Sequence, residues 1–227
     1  MKHLALATVV TAGAVVAGGL AAAPDAHAAS IGTCTLVVPS RVSISHEYRA
    51  IPLSIKGGCA ARSGSFASWD LYHPTHGLED VAYFDGKTKD TWDLYSFHDL
   101  GAQRWRPEGA FTGDFVYDFS QNSPVTTIKI ASSASIRSSR SGSRVTLTAH
   151  SARYAISLDR VINYRGVAGT LQYRSIGSKT WHGLKSVKTN SLGSAKFTYT
   201  SRSSRYYRVV FKETGSVWGA TSSTTRR

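Results

Sequence analysis

Short runs of β-branched and aromatic residues, separated by Gly, Asp, Ser and Asn, follow one another from Ala29 to the end of the chain. This pattern is typical of short β-strands joined by turns. No segment repeats its apolar residues with the period of an amphipathic helix over three turns. The sequence therefore predicts an all-β fold. The runs of the first half are 35–38, 51–55, 66–72, 81–84, 91–95 and 115–119.

A break at Gln121-Asn122-Ser123-Pro124 divides the chain into two halves of different composition. We place a domain boundary there, with one domain at 29–122 and a second at 125–227. The second half contains about seven strand-like runs in about 100 residues, the number expected for a β-sandwich. The sequence thus predicts two tandem β-sandwich domains of the Ig-like type.

The stretch 132–144 is rich in Ser and Arg and has two interpretations. By composition it is a linker. Ile128, Ile130 and Ile136 supply apolar anchors within and before it, however, and these favour a first strand and its continuation. We prefer the strand.

The first 28 residues have the pattern of a secretory signal peptide. Lys2 and His3 precede an apolar run at 4–20, and Ala26-His27-Ala28 is an A-x-A cleavage site before Ala29. The alternative is a membrane anchor, but a spanning helix needs roughly 20 strongly apolar residues. We expect a secreted protein, extracellular or associated with the cell wall, without a membrane span after cleavage.

The chain has two cysteines, Cys34 and Cys59. Outside the cell an even number of cysteines indicates a disulfide, so we predict that these two are joined. The alternative, a thiol nucleophile or a metal ligand, requires reduced sulfur in an oxidising environment.

Several short motifs of the second half resemble an Ig-like module that is repeated across secreted actinobacterial proteins. The resemblance covers about residues 125–227 and implies an Ig-like sandwich, and it carries over no catalytic residue. Unlike antibody-type Ig domains, this half has no cysteine. The first half resembles no family that we can name. The motifs are Thr127-Ile128-x-Ile130, Gly142-x-x-Val145-Thr146-Leu147, Gly177-Ser178-Lys179-Thr180-Trp181, Val187-x-Thr189, Gly193 and Tyr207-Arg208-Val209-Val210-Phe211.

A five-residue pattern occurs twice in the first half, as Ser68-Trp69-Asp70-Leu71-Tyr72 and Thr91-Trp92-Asp93-Leu94-Tyr95. In a strand, Trp and Leu share one face while Asp and Tyr share the other. We expect the Trp and Leu side chains to form the core of two related strands. The other interpretation is a glycan-binding surface made of Asp70, Tyr72, Asp93 and Tyr95. The spacing of these carboxylates fits no Ca²⁺-binding template.

The two halves carry opposite charge. Residues 31–122 contain 8 Lys+Arg and 11 Asp+Glu, for a net charge of −3, while residues 126–227 contain 18 and 2, for a net charge of +16. Such asymmetry indicates a polyanionic partner, or contact between the halves or between copies, and the alternative is a surface charged for solubility. The candidate contacts lie in polar stretches: Arg137, Arg140, Arg144, Arg202, Arg205, Arg226 and Arg227.

Secretion removes the usual nucleic-acid targets, and the resemblance to secreted actinobacterial proteins implies a Gram-positive wall. We therefore expect the polyanion to be a wall polymer such as a teichoic or teichuronic acid. Basic residues interleaved with aromatic ones also suit a single-stranded nucleic acid. The aromatics concerned, however, fit alternating core positions. They are Trp181, Tyr206, Tyr207 and Trp218.

No catalytic motif is found, so we predict no catalytic residue, no metal and no cofactor. His46-Glu47 lacks the second histidine of H-E-x-x-H, and His73-Pro74-Thr75-His76 lacks a clear third ligand. Asp93 and Asp99 form only one of many carboxylate pairs that a glycosidase could use. We therefore expect a secreted, non-catalytic binding protein of the cell envelope. The alternatives are an extracellular hydrolase with a basic wall anchor, and a structural spacer or subunit of a secreted assembly.

Overall fold

The computed structural model describes residues 30–227, so the predicted signal peptide and its cleavage site lie outside the described residues. The regular structure of the described chain is predominantly β-strand, which confirms the predicted class. Its helices are α1 (Gly58–Ala61) and a 3₁₀ turn (Ile156–Leu158). The strands of the first half are β1 (Ser30–Val37), β2 (Arg41–Ile44), β3 (Tyr48–Gly57), β4 (Phe66–His73), β5 (Gly77–Asp85), β6 (Lys89–Tyr95), β7 (Gly101–Phe111), β8 (Asp118–Gln121) and β9 (Val125–Ile130).

The first half is one continuous sheet of these nine strands, in the order β2-β9-β7-β8-β1-β3-β6, with β4 joining β7 to β5. The pairing is continuous because β7 is long and carries an irregularity opposite Ser68 and Trp69, so that its two ends pair with different strands. Trp69, Trp92 and Trp105 are buried at the centre of the core. The predicted core role of the Trp-x-Leu repeat is therefore confirmed.

The Cys34–Cys59 disulfide is present, as predicted. It joins β1 to the short helix α1, which follows β3. Gly57 makes this connection with a φ of +99°, and a Cβ at that position would lie 2.3 Å from the carbonyl oxygen of Thr33. Only glycine combines this left-handed backbone with so close an approach.

The second half is a sandwich of two sheets around its own core. One sheet contains β10, β11, β12 and β15, and the other contains β13, β14, β16, β17 and β18. The stretch that we preferred as a strand is β10, which pairs with β11 along its whole length. The strands are β10 (Ser132–Ser141), β11 (Arg144–Ala155), β12 (Arg160–Asn163), β13 (Ala168–Ser175), β14 (His182–Lys188), β15 (Ser194–Thr200), β16 (Arg205–Phe211), β17 (Ala220–Thr221) and β18 (Thr225–Arg226).

The change from the first sheet to the sandwich falls after Ile130, one strand later than the boundary that we placed at Asn122–Val125. Strand β9 pairs with β2 and β7 and so belongs to the first sheet. The polar segment before it is a turn inside that sheet, because the Trp105 amide donates to the carbonyl oxygen of Pro124 at 2.9 Å. Turn residues within a sheet and residues of a linker have the same composition, which explains the difference.

The loop that follows β16 joins the halves. Val217 bridges Ile130, and the indole N–H of Trp218 donates to the carbonyl oxygen of Val42 at 2.9 Å. The Arg41 guanidinium lies 3.8 Å from the centre of the Trp218 ring. Glu213 accepts from Lys129 at 2.7 Å and from Arg41 at 3.2 Å. The two halves therefore share a packed and hydrogen-bonded junction.

Candidate functional site

The arginines predicted from the sequence gather at one end of the second sandwich, where three chain segments meet. These segments are the β10–β11 turn, the β15–β16 loop and β18. Arg144 lies opposite Thr200 across β11 and β15, and the backbones of Arg205 and Arg227 exchange hydrogen bonds of 2.7 and 3.1 Å. We call this end the arginine pole: Arg140, Arg144, Arg202, Arg205, Arg226 and Arg227.

Some members of the arginine pole also hold the structure together. Arg140 donates to the carbonyl oxygens of Ser201 and Ser203, and so fixes the β15–β16 loop against β10. Arg227 donates to the carbonyl oxygen of Ser138 at 3.0 Å. Arg144, Arg202 and Arg226 are exposed, and the one side-chain hydrogen bond that these three make within the described chain is a long one from Arg226 Nε to the Ser204 hydroxyl at 3.4 Å. These three are therefore the members most available to a ligand.

Arg137 lies apart from the arginine pole. It is exposed on β10 opposite Thr148, in a shallow hollow that it shares with His150 and Ser194. Six of the seven predicted arginines thus lie together at the arginine pole, and the seventh, Arg137, lies outside it.

A second basic surface covers the outer face of the five-stranded sheet. Arg208 lies 4.2 Å from the centre of the Trp181 ring, and Arg174 lies 4.4 Å from that of Tyr206. Arg226 is 5.9 Å from the Tyr206 ring, and so connects this surface to the arginine pole. We call these five residues the arginine–aromatic face. Stacking on aromatic rings restrains the guanidinium groups. Arg174 also donates to the carbonyl oxygen of Ser178 at 2.6 Å and Arg208 to the Gln172 side chain at 2.7 Å, so only their remaining N–H groups are available to a ligand.

Trp181 and Tyr206, which we expected at core positions, lie outside the core. Tyr207 is buried, whereas Trp181 and Tyr206 are only half-buried beneath arginines. The register explains the difference, because Arg174 pairs with Tyr206 and Gln172 with Arg208, so the outward side of both strands is polar and aromatic. The alternation of residues along one β-strand does not predict this orientation, because aromatic residues occur on either face of a sheet.

The cations of the second sandwich are not neutralised by the protein. Among residues 30–227 the salt bridges use Arg41, His76, Lys87, His98 and Lys129 as cations. None of the 17 Lys and Arg residues after residue 130 takes part in them. The two carboxylates of this region are engaged elsewhere, because Glu213 lies at the junction and Asp159 accepts from the Tyr154 hydroxyl.

The four residues of the candidate glycan surface are not brought together. Strand β4 carries Asp70 and Tyr72 and pairs with β5 and β7, whereas β6 carries Asp93 and Tyr95 and pairs with β3. The two copies of the repeat therefore lie on strands that do not pair with each other, because strand pairing does not follow the order of the repeat.

Each half of the repeat has its own surroundings. Tyr72 lies beneath Arg106 at 4.1 Å. Asp93 accepts from the Tyr48 hydroxyl at 2.8 Å, and this hydrogen bond raises the pKa of Tyr48. Tyr95 stacks on the exposed ring of Phe97 at 5.1 Å.

A group of histidines and carboxylates lies where the β4–β5 turn meets the loop before β7. It brings His73 and His76 together with Asp99, the third ligand that the local sequence does not show. Asp99 engages His76, and Asp93 faces Tyr48, so these two aspartates serve separate contacts. A hydrogen bond to Glu79 and another to His76 lower the pKa of Asp99.

His98 belongs to the same loop but faces Asp80, with 3.6 Å between its Nε2 and the Asp80 carboxylate. Burial disfavours the charged imidazole, yet the Asp80 carboxylate and the hydrogen bond with the Tyr95 backbone outweigh this effect and raise the pKa of His98. His98 is therefore a buried partner of Asp80 rather than part of the His73 group.

No known family model and no curated protein matches this chain. Among solved structures, a mutant of Salmonella alpha-2-macroglobulin is 11% identical, covering 86% of this chain and 14% of that one, with a TM-score of 0.40. The human OSCAR ligand-binding domain is 11% identical, covering 85% and 97%, with a TM-score of 0.29. The chicken CNTN1 FN1–FN3 domains are 10% identical, covering 87% and 68%, with a TM-score of 0.33.

This chain spans about a seventh of the length of the alpha-2-macroglobulin structure. Similarities at these scores carry no argument about function, and the fold rests on the strand pairing described above. The resemblance of residues 125–227 to an Ig-like module agrees with the two facing sheets, and no comparison supports an actinobacterial origin. Within residues 30–227, neither helix has the length and apolar character required to cross a membrane.

Proposed function

We propose that this protein is a secreted, non-catalytic binding protein whose second sandwich contacts an anionic polymer of the cell envelope. The contact surface is the arginine pole together with the arginine–aromatic face. One observation carries the proposal: the cations after residue 130 form no salt bridge within the described chain, although they include 17 Lys and Arg. Unpaired like charges repel one another, and a polyanion relieves that repulsion.

The type of cation supports a ligand that carries phosphate. The arginine pole consists of arginines contributed by three segments, and guanidinium groups bind phosphate through two parallel hydrogen bonds where lysine offers a single point charge. Arg144, Arg202 and Arg226 are exposed and lie in different segments. A flexible polymer with repeated anionic groups can contact all three.

Two observations favour a wall polymer over a nucleic acid. The disulfide is typical of a protein that works in an oxidising environment outside the cell. Stacking of bases requires open aromatic faces, but guanidinium groups already lie over Trp181 at 4.2 Å and Tyr206 at 4.4 Å.

The test is retention of the full chain on an immobilised, phosphate-containing wall polymer. We do not separate the halves, because β9 and Trp218 contribute to both. The pole variant replaces Arg144, Arg202 and Arg226 with Gln, which leaves the structural contacts of Arg140 and Arg227 intact. The control variant removes the same charge elsewhere by replacing Lys56, Arg62 and Arg165 with Gln.

We expect the wild type to be retained at about 50 mM salt and released as salt rises toward about 500 mM, because the Debye length falls from roughly 14 to 4 Å. The pole variant should elute at clearly lower salt than the control variant. Equal elution of the two variants would show that the basic charge of the second sandwich serves only solubility. Tighter binding to single-stranded DNA than to the wall polymer would show that the ligand is a nucleic acid instead.

A further inference from the structure

The β4–β5 turn and the loop before β7 bring metal-binding side chains together at one edge of the first sheet. His73 ends β4, His76 lies in the turn, and Asp99 lies just before β7. One ligand atom from each residue can be chosen such that all three atoms lie within 4.8 Å of one another. In a tetrahedral Zn²⁺ site each ligand atom lies roughly 2.0–2.1 Å from the metal. The ligand atoms of such a site are therefore closer to one another than 4.8 Å. The side chains must rotate to close around an ion, and the exposure of His76 leaves room for that rotation.

The two imidazole rings are stacked face to face. Their centres are 4.6 Å apart and their planes differ by 18°, and His76 Nδ1 faces Asp99 Oδ2 in a close contact. Because a metal ion lies in the plane of the imidazole that binds it, the exposed His76 ring must turn to share an ion with His73. All three side chains are at least partly exposed, so an ion can reach them.

The orientation of His73 is fixed by the backbone. Its Nε2 lies 3.3 Å from the carbonyl oxygen of Leu100, and its Nδ1 lies 3.4 Å from the Thr75 amide. The amide can only donate, so Nδ1 accepts and the proton resides on Nε2. Metal-binding histidines characteristically donate one ring N–H to a carbonyl oxygen and bind the ion with the other nitrogen. At His73 that nitrogen is Nδ1, so a bound ion would displace the long contacts that Nδ1 makes with the Thr75 amide at 3.4 Å and the Thr75 hydroxyl at 3.2 Å.

A second carboxylate lies beside the group. Glu79, on β5, accepts from the Asp99 amide at 3.4 Å. Its side chain is half-buried. Glu79 therefore supports Asp99 and stands within the same polar group.

We propose that His73, His76 and Asp99 bind a divalent transition-metal ion of the Zn²⁺ class, with Glu79 as the neighbouring carboxylate. Two imidazoles with one carboxylate suit Zn²⁺, Cu²⁺ or Ni²⁺, whereas Ca²⁺ and Mg²⁺ prefer oxygen ligands. The bound ion ties the β4–β5 turn to the loop before β7. This site lies on the first half and is independent of the polyanion surface on the second.

The first test is calorimetric titration of ZnCl₂ into the full chain, purified without an affinity tag and treated with chelator. We expect one Zn²⁺ per chain. His76→Ala should weaken the affinity by at least about tenfold, since even loss of an outer-shell partner costs that much. The His76 side chain is 57% exposed, so the substitution should leave folding intact. His182→Ala removes an exposed histidine of the second half and should leave affinity unchanged.

The second test locates the ion. In nuclear magnetic resonance spectra, the ring nitrogens of His73 and His76 should shift on addition of Zn²⁺ while those of His182 remain in place. Asp99→Asn, which keeps the shape of the side chain but removes its charge, should lose most of the binding. Zn²⁺ should raise the melting temperature of the wild type and of His182→Ala, but not of Asp99→Asn.

Three results would overturn the proposal. They are absence of Zn²⁺ binding at saturating concentration, equal binding by wild type and His76→Ala, and unshifted His73 and His76 ring signals. Any of them would leave His76 and Asp99 as a hydrogen-bonded pair that joins two loops.

Discussion

The three tryptophans of the first core differ in how their indole N–H groups are satisfied. Trp69 donates to the carbonyl oxygen of Asn122 at 2.8 Å, and Trp105 donates to the Thr126 hydroxyl at 3.2 Å. Within the described chain, the buried Nε1 of Trp92 has no hydrogen-bond partner. An unmade hydrogen bond in a core costs free energy, so equally buried tryptophans need not contribute equally to stability.

We predict that Trp92→Ala lowers the free energy of unfolding by about 3–5 kcal/mol, the usual cost of emptying a buried aromatic site. Trp92 is 2% exposed and packs edge-on against Trp105 at 5.6 Å. Denaturant unfolding measures the change. A variant that is as stable as the wild type but has lost binding to a glycan would contradict the core role.

Substitution by phenylalanine separates packing from hydrogen bonding. Trp69→Phe should cost about 1–3 kcal/mol more than Trp92→Phe, because it leaves the Asn122 carbonyl unsatisfied, whereas Trp92 has no bond to lose. Paired denaturant curves test this difference. Equal costs would show that the Trp69 bond contributes nothing.

A tyrosine in the junction region predicts how stability changes at alkaline pH. The hydrogen bond to Asp159, with burial as a smaller cause, raises the pKa of Tyr154 from 10.0 to about 12. Because the folded pKa lies above the unfolded one, this stabilisation is complete below pH 10 and is lost as pH rises toward 12.

The stability difference between wild type and Tyr154→Phe should therefore shrink between pH 10 and 12. Melting temperatures at a series of pH values measure it. Asp159→Asn is the companion variant, since it removes the charged acceptor and Asn tolerates the left-handed backbone of residue 159. A pH-independent difference between wild type and Tyr154→Phe would contradict the assignment.

At the scale of elements, local patterns predict which segments form strands but not which strands pair. The Trp-x-Leu repeat predicts two strands with buried tryptophans because side chains alternate along a strand. Pairing depends on distant segments, so the repeat does not reveal that β4 and β6 lie apart. The same limit explains why we placed β9 in the second half. Its pairing partners, β2 and β7, belong to the first half, and a local pattern does not show that pairing.

The β1–α1 connection offers an element-scale prediction. Replacing Cys34 and Cys59 together with Ala should lower the free energy of unfolding by roughly 3 kcal/mol in the chain-entropy model, since the bond closes a short loop. Guanidinium unfolding of the variant, with reduced wild type as the control, measures the loss. Unchanged stability would show that the unfolded chain gains little freedom when the bond is removed.

At the scale of the whole molecule, the junction makes the two halves interdependent. Trp218 is 9% exposed. Its indole N–H donates to the carbonyl oxygen of Val42, and the Arg41 guanidinium lies over its ring, so both contacts are with the first half. Charge composition predicted contact between the halves as one alternative, but the contact in fact centres on an aromatic side chain and on Glu213. Residue alternation fits Trp218 to a core position, but its role in joining the halves depends on partners that lie far away in the chain.

We predict that the wild type unfolds in one calorimetric transition and that Trp218→Ala separates it into two. The substitution removes the indole that both halves cover, while each half keeps its own core. Glu213→Gln should have a smaller effect in the same direction, because exposed ion pairs contribute about 0–1 kcal/mol. Two transitions in the wild type would show that the junction does not couple the halves.

The arginine surface also belongs to the whole molecule, since three segments build it. The sequence predicted most of its members from charge and polar context. It missed Arg174 and Arg208, because their place on the arginine–aromatic face depends on the register of β13 and β16. Charge counting therefore finds a basic half, and the pairing of strands decides where the charge is presented.

The salt dependence of polyanion binding tests the central claim most directly. For the full chain and soluble polyphosphate of defined length, the logarithm of the binding constant should fall linearly with the logarithm of salt concentration, because counterions are released. Replacing Arg144, Arg202 and Arg226 with Gln should lower the magnitude of this log–log slope by about two to three, roughly one per lost phosphate contact. The Lys56, Arg62 and Arg165 control should keep the wild-type slope. Equal slopes for the wild type and the pole variant, or binding that is indifferent to salt, would contradict the claim that the arginine pole binds the polymer.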